Sequence, residues 1–223
     1  MQKTEETGCL NAINLTLKHG FCDKSRTLED ISKTIHMPMK DFFFMKQVHE
    51  NNVVIATEDT YLKPADAVID TEGKYKLVIR TADCLPILVQ SKSGKIKAAI
   101  HAGWRSLLSG IIENTIEKMK TLTDEPFLAA LGPCMQNKHF EVKQDLIERF
   151  PINIQNDTEI FIHKDEKVFF DVPKLAIRKL NNLGIVDVNT DCCIDTYENE
   201  NYYSYRRSTH KDEIDDRRQL SWI

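Results

Sequence analysis

The stretch from Thr81 to Arg105, TADCLPILVQSKSGKIKAAIHAGWR, constrains the fold more than any other part of the chain. Two apolar runs, Leu85 to Gln90 and Lys95 to Ile100, flank Ser91-Lys92-Ser93-Gly94, which is polar and glycine-ended as a hairpin turn requires. The segment therefore reads as strand, turn, strand, with Cys84 near the start of the first strand and His101 at the end of the second. Strands fix side-chain direction better than loops do, so a thiol and an imidazole are held on one rigid hairpin. That geometry suits a metal or a thiol nucleophile. His49, in MKQVHE at the end of the apolar run Phe42 to Val48, is a third candidate. Two imidazoles and a thiolate make a usable set for catalytic zinc with the fourth position open to water or substrate.

A chain of 223 residues can bury one proper core, and no linker or composition shift marks a boundary, so a single domain is expected. A net charge of −4 offers no basic face for nucleic acid. No apolar run approaches the ~20 residues of a membrane helix, and no signal-peptide pattern opens the chain, so a cytoplasmic protein is expected. In that compartment the six irregularly spaced cysteines are expected to be reduced.

The remaining pattern predicts a mixed sheet with helices on it, an α/β (mixed α+β) fold, because strands and helices interleave while several strands are consecutive. Residues 9–22 suggest a first strand; Leu28, Ile31 and Ile35 fall at helical spacing behind Thr27, a capping residue. Further strands are expected at Phe42 to Val48, Asn52 to Ala56, Ala67 to Ile69 and Lys76 to Thr81. The strongest helix runs from Ser106 to about Lys120, with Leu107, Ile111, Ile112, Ile116 and Met119 on one face. A strand at Phe127 to Leu131, a weak helix at Val142 to Phe150, strands near Ile160 to Ile162 and Val168 to Phe170, and a helix from Pro173 stopped by Gly184 follow. Val186 to Asn189 reads as a last strand before a polar tail rich in tyrosine and arginine.

Around the trio, Asp83 adjoins Cys84, and Gly103 leaves room for a close approach beside His101. Arg105 opens the strong helix, where a phosphate would be favoured; Arg206 and Arg207 are a second candidate anion clamp. Trp104 and the cluster Tyr202, Tyr203, Tyr205 are candidates to stack a planar base. His139-Phe140-Glu141 and Pro133-Cys134 imitate zinc deaminase motifs, but their order is reversed and Asn137 stands where a second thiolate should be. There is no Walker loop, G-x-G-x-x-G, H-E-x-x-H or G-x-S-x-G.

Gln47-Val48-His49, Pro64-Ala65-Asp66-Ala67, Thr81-Ala82-Asp83-Cys84-Leu85-Pro86, His101-Ala102-Gly103-Trp104-Arg105, Gly132-Pro133-Cys134, Glu141-Val142 and Tyr203-Ser204-Tyr205-Arg206-Arg207 occur in one order along the chain. In that order they resemble the bacterial purine nucleoside phosphorylase family long labelled polyphenol oxidase or laccase-domain proteins. The resemblance covers nearly the whole chain and implies zinc on His49, Cys84 and His101. It further implies phosphorolysis of adenosine, inosine, guanosine and methylthioadenosine, with adenosine deamination, so the expected partners are purine nucleosides and phosphate. Asp83 is the expected acid for the departing base and Arg105 the expected phosphate ligand. A monomer or small homo-oligomer is expected. The chain departs from the family pattern at Cys22, Glu50, Ser106 and Met135-Gln136.

Three rival readings stand beside this one. The old family label suggests copper oxidase chemistry, since two histidines, a cysteine and a distant methionine resemble a blue-copper centre. Cys84 and His101 could act without metal as nucleophile and base of a hydrolase. A structural metal in a non-catalytic regulator is the third, although structural zinc normally has four protein ligands.

Overall fold

The computed structural model describes residues 2–3, 8–213 and 215–223. The N-terminal third contains β1 (Gln2–Lys3), β2 (Cys9–Asn11), β3 (Gly20–Cys22), α1 (Leu28–Ile35), β4 (Phe42–Phe43), β5 (Val53–Ile55), β6 (Ala67–Asp70) and β7 (Lys76–Thr81). The predicted hairpin is β8 (Leu85–Ser91) and β9 (Lys97–Ala102), followed by α2 (Trp104–Leu108), α3 (Ile111–Lys120) and β10 (Phe127–Leu131). Next come β11 (Glu141–Val142), α4 (Gln144–Ile147), α5 (Ile152–Gln155), β12 (Phe161–Lys164), β13 (Lys167–Phe170) and α6 (Val172–Asn182). The chain finishes with β14 (Val188–Asn189), α7 (Tyr205–His210) and β15 (Gln219–Trp222).

Among the described residues the strands form three sheets, in the orders β1-β2-β3-β15-β7-β4, β14-β10-β8-β9-β6-β5 and β11-β13-β12. The two larger sheets contain parallel and antiparallel pairs, as the consecutive strands required. Their layering follows from alternation along strands that are buried on both faces. Val68, Leu88, Ala99 and Ala130 of the second sheet pack with Phe21, Phe43, Leu77 and Ile79 of the first. The neighbouring positions Ile69, Ile87, Val89, Ala98 and Ile100 point the other way, onto Ile112, Ile116 and Met119 of α3 and Leu175 and Leu180 of α6. Val78, Leu220 and Trp222 cover the outer face of the first sheet together with Ile31 of α1. The architecture is α/β, two mixed sheets face to face with helices outside each.

Several boundaries differ from those expected. The helix from Ser106 is two helices, because Gly110 takes φ 91°, a left-handed conformation that ends α2 and restarts as α3. The run Phe42 to Val48 forms a strand only at Phe42–Phe43; it then leaves the sheet toward the candidate site, with an isolated bridge from Lys46 to Pro64. Residues 9–22 form two strands, and the opposed positions Cys9 and Cys22 are joined by a disulfide. That corrects the expectation of six reduced thiols: register, invisible to spacing, sets these two side by side. The C-terminal residues are no tail either, since β15 is fully buried between β3 and β7.

Candidate metal centre

His101 lies on β9 opposite Pro86, and Cys84 sits one residue before β8, so the β8–β9 pairing brings sulfur and ring together. His49 comes from the irregular segment after β4, at φ 63°. One carboxylate holds it there. Asp66, just ahead of β6 and fully buried, accepts the backbone N–H groups of Val48, His49 and Glu50 at 3.2, 3.0 and 2.8 Å. Three successive N–H groups around one anion stabilise a turn that a non-glycine residue otherwise adopts only with strain. The same carboxylate lies 2.7 Å from His101 Nδ1, which leaves Nε2 facing Cys84 and His49. A carboxylate behind a ligating imidazole fixes both its tautomer and its orientation.

The donor atoms of His49, Cys84 and His101 all lie within 4.8 Å of one another, with His49 exposed, Cys84 partly exposed and His101 buried. Cys84 Sγ is 3.8 Å from His49 Nε2, and the two imidazole rings are 4.8 Å apart. Gly103 is essential to this closeness. A Cβ there would stand 3.1 Å from Cys84 Sγ and 3.2 Å from His49 Cδ2. Burial alone would raise the Cys84 thiol, but the charge of His101 and hydrogen bonds from His101 and His49 bring it down to about 6. Burial disfavours a charged His101; the Cys84 sulfur and the Asp66 carboxylate overcome it and raise the ring to about 9. Asp66 likewise gains from burial an upward push that is outweighed by bonds from His101 and the Glu50 and His49 N–H groups, so it lies below its ordinary value. Both shifts favour a thiolate beside an imidazolium, the arrangement in which a divalent ion could take the place of a proton. Two nitrogens, one sulfur and an exposed side make a set able to hold a metal with an open position.

This trio lies in a cleft of about 690 Å³ whose lining includes Asp83, Arg105, Trp104, Tyr205 and Arg206. The same cleft is lined by Lys46, Arg80 and Arg218, none of which stood out in the sequence, by Phe140, and by Met135, one of the departures from the family pattern. The Arg105 guanidinium lies over the Trp104 ring, 4.6 Å from its centroid, and that of Arg206 lies 5.4 Å from the Phe140 centroid. Asp83 takes φ 84° and accepts the Thr196 hydroxyl and the Arg206 N–H, each at 2.7 Å. Its two oxygens are thus committed to pinning the segments on the far wall.

Other expected residues are elsewhere. Arg207 donates to the carbonyls of Thr196 at 2.7 Å and Tyr197 at 2.9 Å, so it clamps a loop and is no part of an anion site. Tyr202 is buried, and Tyr203 packs against the Arg217 guanidinium at 5.0 Å from its ring centre; only Tyr205 of the cluster reaches the cleft. Asp66 is the residue that sequence reasoning undervalued. Its signal was present in Pro64-Ala65-Asp66-Ala67, a carboxylate placed at the start of an apolar strand where a buried charge needs a reason.

Fold and site together define an α/β protein with a cleft at the ends of the hairpin strands whose sulfur and two nitrogens could hold a metal. The chain belongs to the family described as multi-copper polyphenol oxidoreductase laccase, whose model matches residues 10–220. Purine nucleoside phosphorylase RC0672 of Rickettsia conorii is 34% identical over 186 residues, 82% of this chain and 77% of the relative. Purine nucleoside phosphorylase YfiH of Escherichia coli K12 is 35% identical over 176 residues, 77% of this chain and 70% of its own length. The crystal structure of Neisseria meningitidis protein NMB0706 superposes with a TM-score of 0.74 at 31% identity, covering 87% of this chain and 77% of that one. Among the described residues no helix is long and apolar enough to cross a membrane.

Proposed function

We propose that this protein is a metal-dependent purine nucleoside phosphorylase, with zinc on His49, Cys84 and His101. The observation that carries the reading is the placement of that donor trio in one cleft with four arginines and three aromatic rings, Trp104, Phe140 and Tyr205. Such a volume suits a nucleoside, since small-molecule sites run from about 300 to 1,000 Å³. Relatives at 34% and 35% identity that bear the phosphorylase name support the same chemistry.

In this reading the bound metal supplies Lewis-acid polarisation at its open position. Arg105 and Arg206 hold the phosphate, whose oxygens match a guanidinium fork in pairs. A phosphate oxygen attacks C1′ of the ribose while the bond from C1′ to the base nitrogen breaks; its electron pair leaves with the base, which takes up the proton that the phosphate loses. Trp104 and Phe140 offer flat apolar surfaces for that base. Asp83, with both oxygens already bonded, acts by positioning Arg206 and the Thr196 segment. Adenosine deamination is proposed as a second activity of the same cleft: water adds at C6 of the base, the bond from C6 to the amino nitrogen breaks, and ammonia leaves with a proton from that water.

The test is release of hypoxanthine from inosine and adenine from adenosine, with and without phosphate, in wild type and Cys84→Ala. Phosphate-dependent release that is lost with Cys84 is expected; release indifferent to phosphate would remove the reading. A copper oxidase is the second reading, favoured by the family description and by Met135 in the same cleft, since two histidines, a cysteine and a weak methionine are blue-copper ligands. Copper-loaded protein with intense visible absorption and oxygen-dependent oxidation of phenols would establish it in place of the phosphorylase.

A further inference from the structure

A second pair of sulfurs lies behind the cleft wall, apart from the metal ligands. Cys134 follows β10 in Gly132-Pro133-Cys134 and is fully buried; Cys193, beyond β14, is partly exposed. The two segments run side by side: the Cys134 N–H donates to the Ile194 carbonyl at 3.0 Å, and the Thr196 N–H donates to the Cys134 carbonyl at 3.1 Å. This places Cys134 Sγ and Cys193 Sγ 3.7 Å apart. The Gln136 amide nitrogen stands 3.4 Å from each sulfur and 3.4 and 3.3 Å from the carbonyl oxygens of Cys134 and Cys193. A carboxamide aimed at two thiols is not ordinary core packing, because its N–H groups stabilise charge on sulfur. Gln136 is also one of the positions at which the chain leaves the family pattern.

We propose that Cys193 and Cys134 form a redox-active dithiol, with Cys193 as the sulfur that reacts first with a hydroperoxide and Cys134 as the sulfur that resolves it into a disulfide. The Cys193 thiolate attacks the outer peroxide oxygen; the S–O bond forms, the O–O bond breaks, and the departing oxygen takes a proton and leaves as water or an alcohol. The Cys134 sulfur then attacks Cys193, the S–S bond forms, the S–O bond breaks, and hydroxide leaves with the Cys134 proton as water. Two thiols lose two electrons and one peroxide gains them. The asymmetry of the pair suits these roles. A hydrogen bond from Cys134 holds Cys193 below the ordinary thiol range against the opposing effect of burial, helped by Gln136; burial, first, and its bond to Cys193 push Cys134 well up. Position points the same way, since Cys193 is a partly exposed loop residue whereas Cys134 is fully buried. Closing 3.7 Å to the ~2.05 Å of a disulfide needs a shift of roughly 1.7 Å, small for a loop residue such as Cys193. The bond would lock the wall that carries Met135, whose N–H donates to the Asp83 carbonyl at 3.0 Å, and Thr196, whose hydroxyl holds the Asp83 carboxylate.

The experiment exposes the folded, metal-loaded full chain to a small excess of hydrogen peroxide, blocks remaining thiols by alkylation and maps peptides by mass. A Cys134–Cys193 cross-link that forms ahead of oxidation at Cys192, and that a dithiol reductant reverses, is expected. Gln136→Leu should slow its formation several-fold. In Cys134→Ser the reaction should stop at a Cys193 sulfenic acid, trapped by dimedone. Failure of the wild-type chain to form the cross-link while other cysteines oxidise, or an unchanged rate in folded Gln136→Leu, would overturn the proposal.

Discussion

Replacing Asp66 is the sharpest perturbation of the metal centre that leaves every proposed ligand in place. Its carboxylate accepts four donors at 2.7–3.2 Å: three N–H groups of the turn at Val48, His49 and Glu50, and Nδ1 of His101. His49 and Glu50 are exposed, so water can satisfy much of that turn when the carboxylate is lost. His101 is 3% exposed, and its Nδ1–H would be stranded. One stranded buried donor costs about 1–3 kcal/mol. Loss of such an outer partner typically weakens metal binding by about 10–100-fold, or roughly 1.4–2.8 kcal/mol, the same scale reached independently. Asp66→Asn, which keeps one acceptor, should fall near the lower end and Asp66→Ala near the upper. Competition against a chromophoric chelator measures the affinity, and urea denaturation of metal-free protein measures the stability. In a His101→Ala background the Asp66→Asn effect on metal affinity should shrink, since the route through the ring is gone. Affinity within two-fold of wild type in Asp66→Ala, with an unchanged urea midpoint, would refute this reasoning.

Gly103→Ala should lower metal affinity while leaving the fold intact, because the added carbon meets Cys84 and His49 at 3.1 and 3.2 Å; equilibrium dialysis beside circular dichroism checks both parts. Arg206→Ala should raise KM for phosphate about tenfold or more, the loss of a charge-assisted pair, whereas Arg207→Ala should lower thermal stability and leave that KM near wild type. Lys76 is held down to about 8 by burial, then by the charges of Lys97 and Lys18. Between that value and the ordinary lysine value of about 10.4 the unfolded chain binds more protons, so stability should rise with pH across this window. Denaturation midpoints of wild type at pH 8 and 10 should show the rise, and Lys76→Met should reduce it.

The central hairpin was legible because two apolar runs flank a polar, glycine-ended turn, and Cys84 and His101 fall at the ends of those runs, where strand pairing sets them side by side. The helix on α6 was equally plain, with Asp171 capping it and Gly184 beyond its end at φ 85°. What escaped was information held in register and in long-range hydrogen bonds. Cys9 and Cys22 look unremarkable 13 residues apart until β2 and β3 set them opposite one another. β15 is a four-residue strand set between β3 and β7 and covered by Ile31 of α1, all far away in sequence. Arg206 and Arg207 are indistinguishable as letters; the helix start at Tyr205 sends one into the cleft and the other under the Thr196 loop. Asp66 illustrates the same limit, since its four donors come from two segments, only one of which adjoins it in the sheet.

The central claim is that His49, Cys84 and His101 bind one ion together. X-ray absorption at the edge of the metal that copurifies with the chain tests it most directly. One sulfur at about 2.3 Å and nitrogens at about 2.0–2.1 Å are expected if the metal is zinc, with the sulfur shell absent in Cys84→Ala. A shell of oxygen and nitrogen alone in the wild-type protein would contradict it.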